Sequence, residues 1–381
     1  MRRLLLVLAT AVGAGVAYLL LWPVPIDPVA WQAPAAPGYQ GAHAVNHRLA
    51  QLRSLDLGGD DGPEHVVARP DGWIYIAVRS GRILRMRADG SGREVAVHTG
   101  GRPLGFDFDA AGAMVIADPM YGRHGALLKA TGIGPTARLQ VLADEVEGDP
   151  LRYVDAVVVA RNGKIYFTDA SRRFGPKAWG GTFEASVLDI IEHQATGRVL
   201  EHDPATGQTR VLMSGLCFPN GLALSADESH LFVNETGEYR IWKLAVLARQ
   251  LDARALTLDA APQAQVLLDN LPGYPDNLMR GLDGRLWVGF AKPRSEFMDE
   301  SADQPWLRRL TLRLPRAWWP VPAAYGHVMA FDETGRVRAD LQDPSGAYPE
   351  TTAITETADR LYVQSLHAKT LGWLDKAAAG L

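Results

Sequence analysis

The feature that most constrains this chain is a hairpin that recurs six times. A short apolar strand runs into a turn rich in Asp, Asn and Gly, and a second strand with aromatic or β-branched residues leads out of it. The copies are PEHVVARPDGWIYIAV from Pro63, PLGFDFDAAGAMVIAD from Pro103, YVDAVVVARNGKIYFTD from Tyr153, PNGLALSADESHLFVNE from Pro219, YPDNLMRGLDGRLWVGF from Tyr274 and ETTAITETADRLYVQSL from Glu350. Their turn residues, Gly72, Gly112, Gly163, Glu228, Gly284 and Asp359, lie 40, 51, 65, 56 and 75 apart, so the loops vary while the hairpin persists. Further strand-like segments follow, among them RILRM, REVAV, GRVLEHDP, TRVLMSG, RIWKLAV and AQVLLDNL. Roughly four strands per repeat, arranged radially, predict an all-β fold, a six-bladed β-propeller. The sixth copy is cut short, and Ala44 to Gly58 is expected to supply its last strand and close the ring.

Composition agrees with one large folded body: 381 residues, 47% hydrophobic and 22% charged. A net charge of −4, with no block of Lys or Arg in the body, argues against nucleic acid as a partner. Cys217 is the single cysteine, which excludes an intramolecular disulfide and a cysteine-based zinc site. At the N-terminus MRR precedes an uncharged apolar run of 19 residues from Leu4 to Trp22. That length fits a spanning helix better than a secretory core, so an uncleaved anchor over 1–23 is expected, with a cleaved signal as the alternative. Arg2 and Arg3 would stay in the cytoplasm and the body would be exported. The Pro/Ala-rich residues 24–43 read as an extended linker and 44–381 as the propeller. Two insertions break the rhythm: 172–196 in the third blade, and 291–324, which is expected to be partly helical, as a capping lid or a membrane-contacting face.

Asp276 and Asn277 stand at the entrance of a short apolar strand, although both are costly to bury unpaired. Counting eight residues back from each turn gives Glu64, Leu104, Asp155, Asn220, Asp276 and Thr351. The first strand of a propeller blade lines the central channel, so these residues should face the axis. Four of the six carry carboxylate or amide oxygens, Asn277 adds another, and none is Lys or Arg. Carboxylates converging on one axis repel unless some are protonated or a cation lies among them. An all-oxygen set suits a hard cation, Ca2+ before Mg2+, and disfavours zinc. The alternative is that each residue merely caps its strand entrance.

Asp118, Asp169 and Glu235 end the second strands of blades two to four and are expected on the same face, as outer ligands, a general base or solvated strand ends. His65, His124, His327 and His367 could each act as a base, but none has a place defined by the repeat, so each reads as a surface or structural histidine. Cys217 reads as a packed small residue. No G-x-S-x-G elbow is present, so a serine-triad hydrolase is not supported.

The stretches GPEHVVARPDG, GRPLGFDFD, NGKIYFTDAS, TGRVLEHDPATG, FPNGLALSADESHLFVNETGEYRIWKL and LPGYPDNLMRGLDGRLWVG resemble the strictosidine synthase-like proteins. These include the adipocyte plasma membrane-associated type, within the paraoxonase and gluconolactonase superfamily. The resemblance runs from about Gly62 to Leu371. It implies a divalent metal, typically calcium, on the propeller axis and, in many members, hydrolysis of lactones or aryl esters. Glu64, Asn220, Asp276 and Asn277 match the family's metal-binding positions, and Asp155 stands where the family usually has Asn. Leu104 and Asp118 occupy the places of the histidine dyad of paraoxonase-like members. Thr352 matches the glutamate with which plant strictosidine synthase condenses an amine with an aldehyde.

The resulting expectation is a membrane-anchored, exported, Ca2+-dependent hydrolase of small-molecule esters or lactones. Its cation would be held by Glu64, Asp155, Asn220, Asp276 and Asn277, and Asp118 or Asp155 would assist a water. A non-catalytic binding propeller with a structural metal, and amine–aldehyde condensation through a group other than Thr352, remain as alternatives.

Overall fold

Six antiparallel sheets surround a common axis, each made from one repeat of the hairpin and the strands that follow it. The computed structural model describes residues 1–256, 263–319 and 321–381; position 320, inside the second insertion, lies outside them. The innermost strands are His65–Ala68, Phe106–Phe108, Val154–Val159, Pro219–Leu224, Gly273–Arg280 and Thr351–Glu356. All six further segments read as strands are strands. The third blade gains a fifth, Leu251–Asp252, parallel to the edge strand Gln208–Leu216.

The ring closes as the sequence predicted. Arg53–Asp56 pairs antiparallel with the last strand, Arg53 opposite Trp373 and Asp56 opposite Thr370. The sixth blade thus joins residues from both ends of the chain. Behind this pairing Leu55, Leu57, Val66, Ile76, Tyr362 and Leu371 form one buried seam between blades six and one. Each such side chain removed from water contributes about 1.5–3 kcal/mol, so the closure is held by apolar burial as much as by four residue pairs.

The apolar N-terminus forms a 20-residue helix, Arg2–Leu21, with no buried residue. By length and composition it can cross a membrane, a test that a signal sequence also passes. The helix stops where Pro23 would remove a backbone donor. The following stretch is extended, as expected of a linker, but it is docked onto the body. The N–H groups of Asp27 and Val29 donate to Glu192, at 2.7 and 3.0 Å, and that of Trp31 donates to the Ala302 carbonyl at 3.0 Å. Ile26 is buried, Trp31 stacks on His193 at 4.0 Å, and Tyr39 stacks on Tyr325 at 4.7 Å. The spaced apolar side chains find slots on the propeller, and this converts a spacer into a strap.

Both insertions form one lid. The first holds the helix Thr182–Glu192, and the second holds Glu296–Glu300 and Pro305–Thr311. The fully buried guanidinium of Arg308 donates to the Ile191 carbonyl at 2.8 Å and the Ala302 carbonyl at 3.2 Å, riveting the two insertions together.

Glu356 joins blades five and six at the far end of the inner strand. It accepts from Trp287 Nε1 at 2.8 Å and the Leu282 N–H at 3.1 Å, and it pairs with Arg285 and Lys376, both at 2.6 Å. Burial opposes its ionisation, but these donors outweigh burial and hold the carboxyl down at about 2. A depressed carboxyl stabilises the fold above its ordinary value of 4.5 and loses that contribution as pH falls toward 2. Glu356→Gln should therefore cost about 3 kcal/mol at pH 7, because Lys376 loses its carboxylate and Arg285 keeps only the exposed Asp283. In thermal melts, the gap from wild type should shrink between pH 4.5 and pH 2; a gap constant across that range would refute the assignment.

Candidate metal centre and active site

The axial residues owe their direction to a repeated irregularity. Strand pairing breaks register between Val154 and Val157, Pro219 and Leu222, Pro275 and Leu278, and Thr351 and Ile354. In each blade the break holds two residues, the first being Asp155, Asn220, Asp276 or Thr352. A bulge re-aims its side chains out of the pleat, and here the same bulge recurs four times. The sixth copy corrects the spacing rule: the pairing makes Thr352, not Thr351, the equivalent of Asp155, because its turn is one residue shorter.

Close backbone approach keeps the ring narrow. A Cβ on Gly221 would lie 2.2 Å from the Leu278 nitrogen, and one on Gly289 would lie 2.3 Å from the Thr352 carbonyl carbon. Neighbouring blades meet at these points only because no side chain intervenes. Hydrogen bonds then fix the axial backbone: Asn277 Nδ2 and Thr352 Oγ1 both donate to the Glu64 carbonyl, at 2.8 and 2.9 Å, and Thr168 Oγ1 donates to that of Asn220 at 2.9 Å.

Glu64, Asp155, Asn220 and Asp276 line the floor of one cavity of 760 Å³. Their exposures are 4%, 3%, 5% and 6%, so this is a buried site. Asn220 Nδ2 donates to Asp276 Oδ1 at 3.2 Å, while Asn220 Oδ1 is buried without a protein partner. Arg102 Nη2 donates to Glu64 Oε2 at 2.8 Å. Burial pushes all three carboxyls up: Glu64 against the pull of Arg102, Asp155 further under the Glu64 charge, and Asp276 further under Glu64 and Asp155. Three crowded carboxylates, an orphan amide oxygen and no imidazole or thiolate in the ring make a donor set that fits a hard divalent cation. Asn277 lies against this ring through its bond to Glu64.

Asp118 does not join them. It is fully buried behind the wall, and its Oδ1 accepts the N–H groups of Arg102 at 2.8 Å and Met120 at 2.9 Å. Asp169 and Glu235 do the same in their own blades, accepting from the N–H of Tyr153 at 2.7 Å and of Cys217 at 2.8 Å. The second ring read from the sequence is thus a set of clasps that hold each incoming loop over its inner strand. Asp118, through Arg102, braces Glu64. Cys217 is packed and buried, and its thiol is pushed well up by burial. His65 is buried edge-on to Phe106 at 5.2 Å, with its imidazole pushed down to about 4 by burial. His124 is exposed.

His327 belongs to a separate cluster. His327 Nε2 and His43 Nδ1 lie 2.9 and 2.8 Å from Asp340 Oδ2, pinning the strap to the fifth blade. The ligand atoms of these three residues lie within 4.8 Å of one another, so they could also hold a metal. His43 and Asp340 carried no signal in the sequence.

The cavity wall contains residues that the repeat did not reveal: Arg79, Arg102, Glu350 and His367. Beside it, under the lid, lies a smaller apolar cavity of 140 Å³ walled by Phe183, Val187, Ile190, Tyr274, Phe297 and Met298. Asn220, Asp276 and Glu350 border both spaces, so an apolar chamber opens directly beside the carboxylate ring.

Comparison with known proteins settles the family. A family model described as strictosidine synthase matches residues 155–248, and one described as strictosidine synthase-like, N-terminal, matches residues 41–86. Protein STRICTOSIDINE SYNTHASE-LIKE 10 of Arabidopsis thaliana is 32% identical over 370 residues, covering 90% of this chain and 91% of that protein. The chain is a member of the strictosidine synthase-like family. Adipocyte plasma membrane-associated protein of Gallus gallus is 28% identical, over 92% of this chain and 84% of that protein. Among solved structures, XC5397 of Xanthomonas campestris, described as a gluconolactonase, superposes with a TM-score of 0.57 at 20% identity, covering 92% of this chain and 96% of that one. A calcium-binding protein described as regucalcin, from Agrobacterium tumefaciens, does so with a TM-score of 0.54 at 15% identity, covering 85% and 93%.

In this strictosidine synthase-like chain Asp155 is one of three buried carboxyls at the axis, beside Glu64 and Asp276. Asp155→Asn should raise the melting temperature of the chelated protein, because it removes like-charge repulsion from a buried cluster. The same change should weaken Ca2+ binding at least tenfold. Wild type at calcium about 100-fold over Kd should gain about 2.7 kcal/mol of stability. Thermal melts with chelator and with calcium would check both signs; a lower melting temperature of the chelated variant would contradict the reading.

Proposed function

We propose that this chain is a membrane-anchored, divalent-cation-dependent hydrolase of esters or lactones, with Ca2+ as the cation and the propeller on the exported side. The observation that carries the proposal is the axial carboxylate ring at the floor of a cavity with an apolar chamber at its side. Glu64, Asp155, Asn220, Asp276 and Asn277 would hold the cation, and Arg102 keeps Glu64 in place. The bound cation would supply Lewis-acid polarisation of the substrate carbonyl and counter-charge for the oxyanion. The remaining work belongs to the chain. The lid helices shield the chamber from water, and Phe183, Val187, Phe297 and Met298 receive an apolar arm of the substrate. At 140 Å³ the chamber is about the size of a cavity that accepts benzene, which suits an aryl group or a short acyl chain. The gluconolactonase and calcium-binding descriptions of two fold neighbours agree with this chemistry, and the membrane-associated description of a relative agrees with an anchor.

The test uses the full chain in detergent, because the strap beyond the helix is packed on the body. Aryl esters and lactones should be turned over, and chelation or Asp276→Ala should reduce turnover by at least 10²-fold. Val187→Trp should fill the chamber and raise KM for aryl esters without changing calcium content. Bound calcium with no turnover of any ester or lactone would instead support a binding propeller with a structural metal.

A further inference from the structure

We infer that His367 is the general base of this site, turned toward the cavity by Glu350 and serving esters or lactones with an apolar arm. This rests on the hydrolase reading above. His367 follows the second strand of the sixth blade, Arg360–Ser365, and lines the large cavity together with the axial carboxylates. Its Nδ1 is hydrogen-bonded to Glu350 Oε2. The other carboxylate oxygen, Glu350 Oε1, lies 3.0 Å from Lys292 Nζ. Both oxygens of Glu350 are thereby engaged, and its direction is set from two blades. With Nδ1 occupied, Nε2 is the nitrogen left to work in the cavity, the arrangement by which an orienting carboxylate prepares an imidazole for proton transfer.

Three further observations point the same way. Glu350 sits in the left-handed region, with φ of 53°, a backbone conformation that a glutamate holds only where its surroundings impose it. The ring of His367 meets Phe183 of the lid edge-on at 6.0 Å, so the lid packs directly against the imidazole. Among the described carboxylate–imidazole pairs His367 is the most open: the side chains of His327, His193 and His43 are 1%, 3% and 16% exposed, against 37% for His367.

The chemistry balances without a further reactant. His367 Nε2 takes a proton from water as the water oxygen bonds to the substrate carbonyl carbon and the C=O π pair moves onto the carbonyl oxygen. The tetrahedral centre then re-forms C=O and breaks the bond to the alkoxy oxygen, which receives the proton from the imidazolium. One ester or lactone and one water give one carboxylic acid and one alcohol. Glu350 is a positioning residue: it fixes the tautomer and direction of the ring and stabilises the imidazolium.

The test uses the full chain in detergent, loaded with calcium. His367→Ala should lower kcat by about 10²–10³-fold, the usual contribution of a general base. Calcium content and melting temperature should stay at wild-type values, and added imidazole should restore part of the turnover. Rescue of this kind is not expected if His367 only supports the wall. Glu350→Gln should lower kcat with little change in KM. Independently of turnover, diethyl pyrocarbonate should modify His367 in the wild-type protein, as read by mass spectrometry. An unmodified His367 would mean that Nε2 does not face the cavity and would overturn the inference. Wild-type turnover that His367→Ala leaves unchanged would overturn the base and leave the hydrolase reading standing. No turnover by wild type, with or without chelator, would overturn both.

Discussion

The mutual repulsion of Glu64, Asp155 and Asp276 is the constraint around which this molecule is organised. Three carboxyls lie within electrostatic reach of one another, almost fully buried, with Arg102 on one of them. Left alone, such a cluster would take up protons or open to water. Instead the fold holds it shut. Repeated bulges point the side chains inward, glycines let neighbouring blades touch, and donors from Asn277, Thr352 and Thr168 tie down the axial backbone. So many contacts holding oxygens together give the axis a donor set that suits positive charge.

Everything outside the ring can be placed by its distance from that charge. Asp118, Asp169 and Glu235 each take backbone donors from the loop entering their own blade, and so stiffen the rim without entering it. The strap carries rigidity farther still. It leaves the N-terminal helix, is gripped by Glu192 of the lid and by Ala302, and ends at His43 on Asp340. Arg313 of the lid donates to the carbonyls of Leu19 and Trp22, at 2.9 and 2.7 Å, so the apolar helix ends against the roof of the site. Helix, strap, lid and blade five therefore form one continuous path of contacts.

What the sequence made legible follows from repetition. Six hairpins set the blade count, the truncated sixth copy called for a closing strand, and one repeat position gave Glu64, Asp155, Asn220 and Asp276. Repetition also set the limit. The eight-residue count slipped at Thr351 because one turn lost a residue, and pairing register, not spacing, identified Thr352. Asp118 looked like a partner of the ring because strand ends share a face, but it stands behind the cavity wall, with backbone donors on its Oδ1. The strap looked like a free linker because its Pro/Ala composition hides how Ile26, Trp31 and Tyr39 are spaced for docking. Glu350 and His367 belong to one blade only, so no internal comparison could single them out.

The division between ring and rim also bears on which group moves a proton. A carboxylate committed to a cation is a poor base, since the electron pair that would accept the proton is already engaged. On the proposed reading, Asp155 as a ligand of the cation would not also deprotonate water. Asp118 is set apart for a different reason: it does not line the cavity, and its Oδ1 accepts two backbone N–H groups behind the wall. A base for this cavity has to stand outside the ring, face the open space and keep a free lone pair. His367 meets those conditions because Glu350, anchored by Lys292, occupies its other nitrogen. The propeller thus separates two tasks that would compete at one residue. The repeated positions fix the charge at the axis, and a pair found once, on the sixth blade, is left to handle the proton.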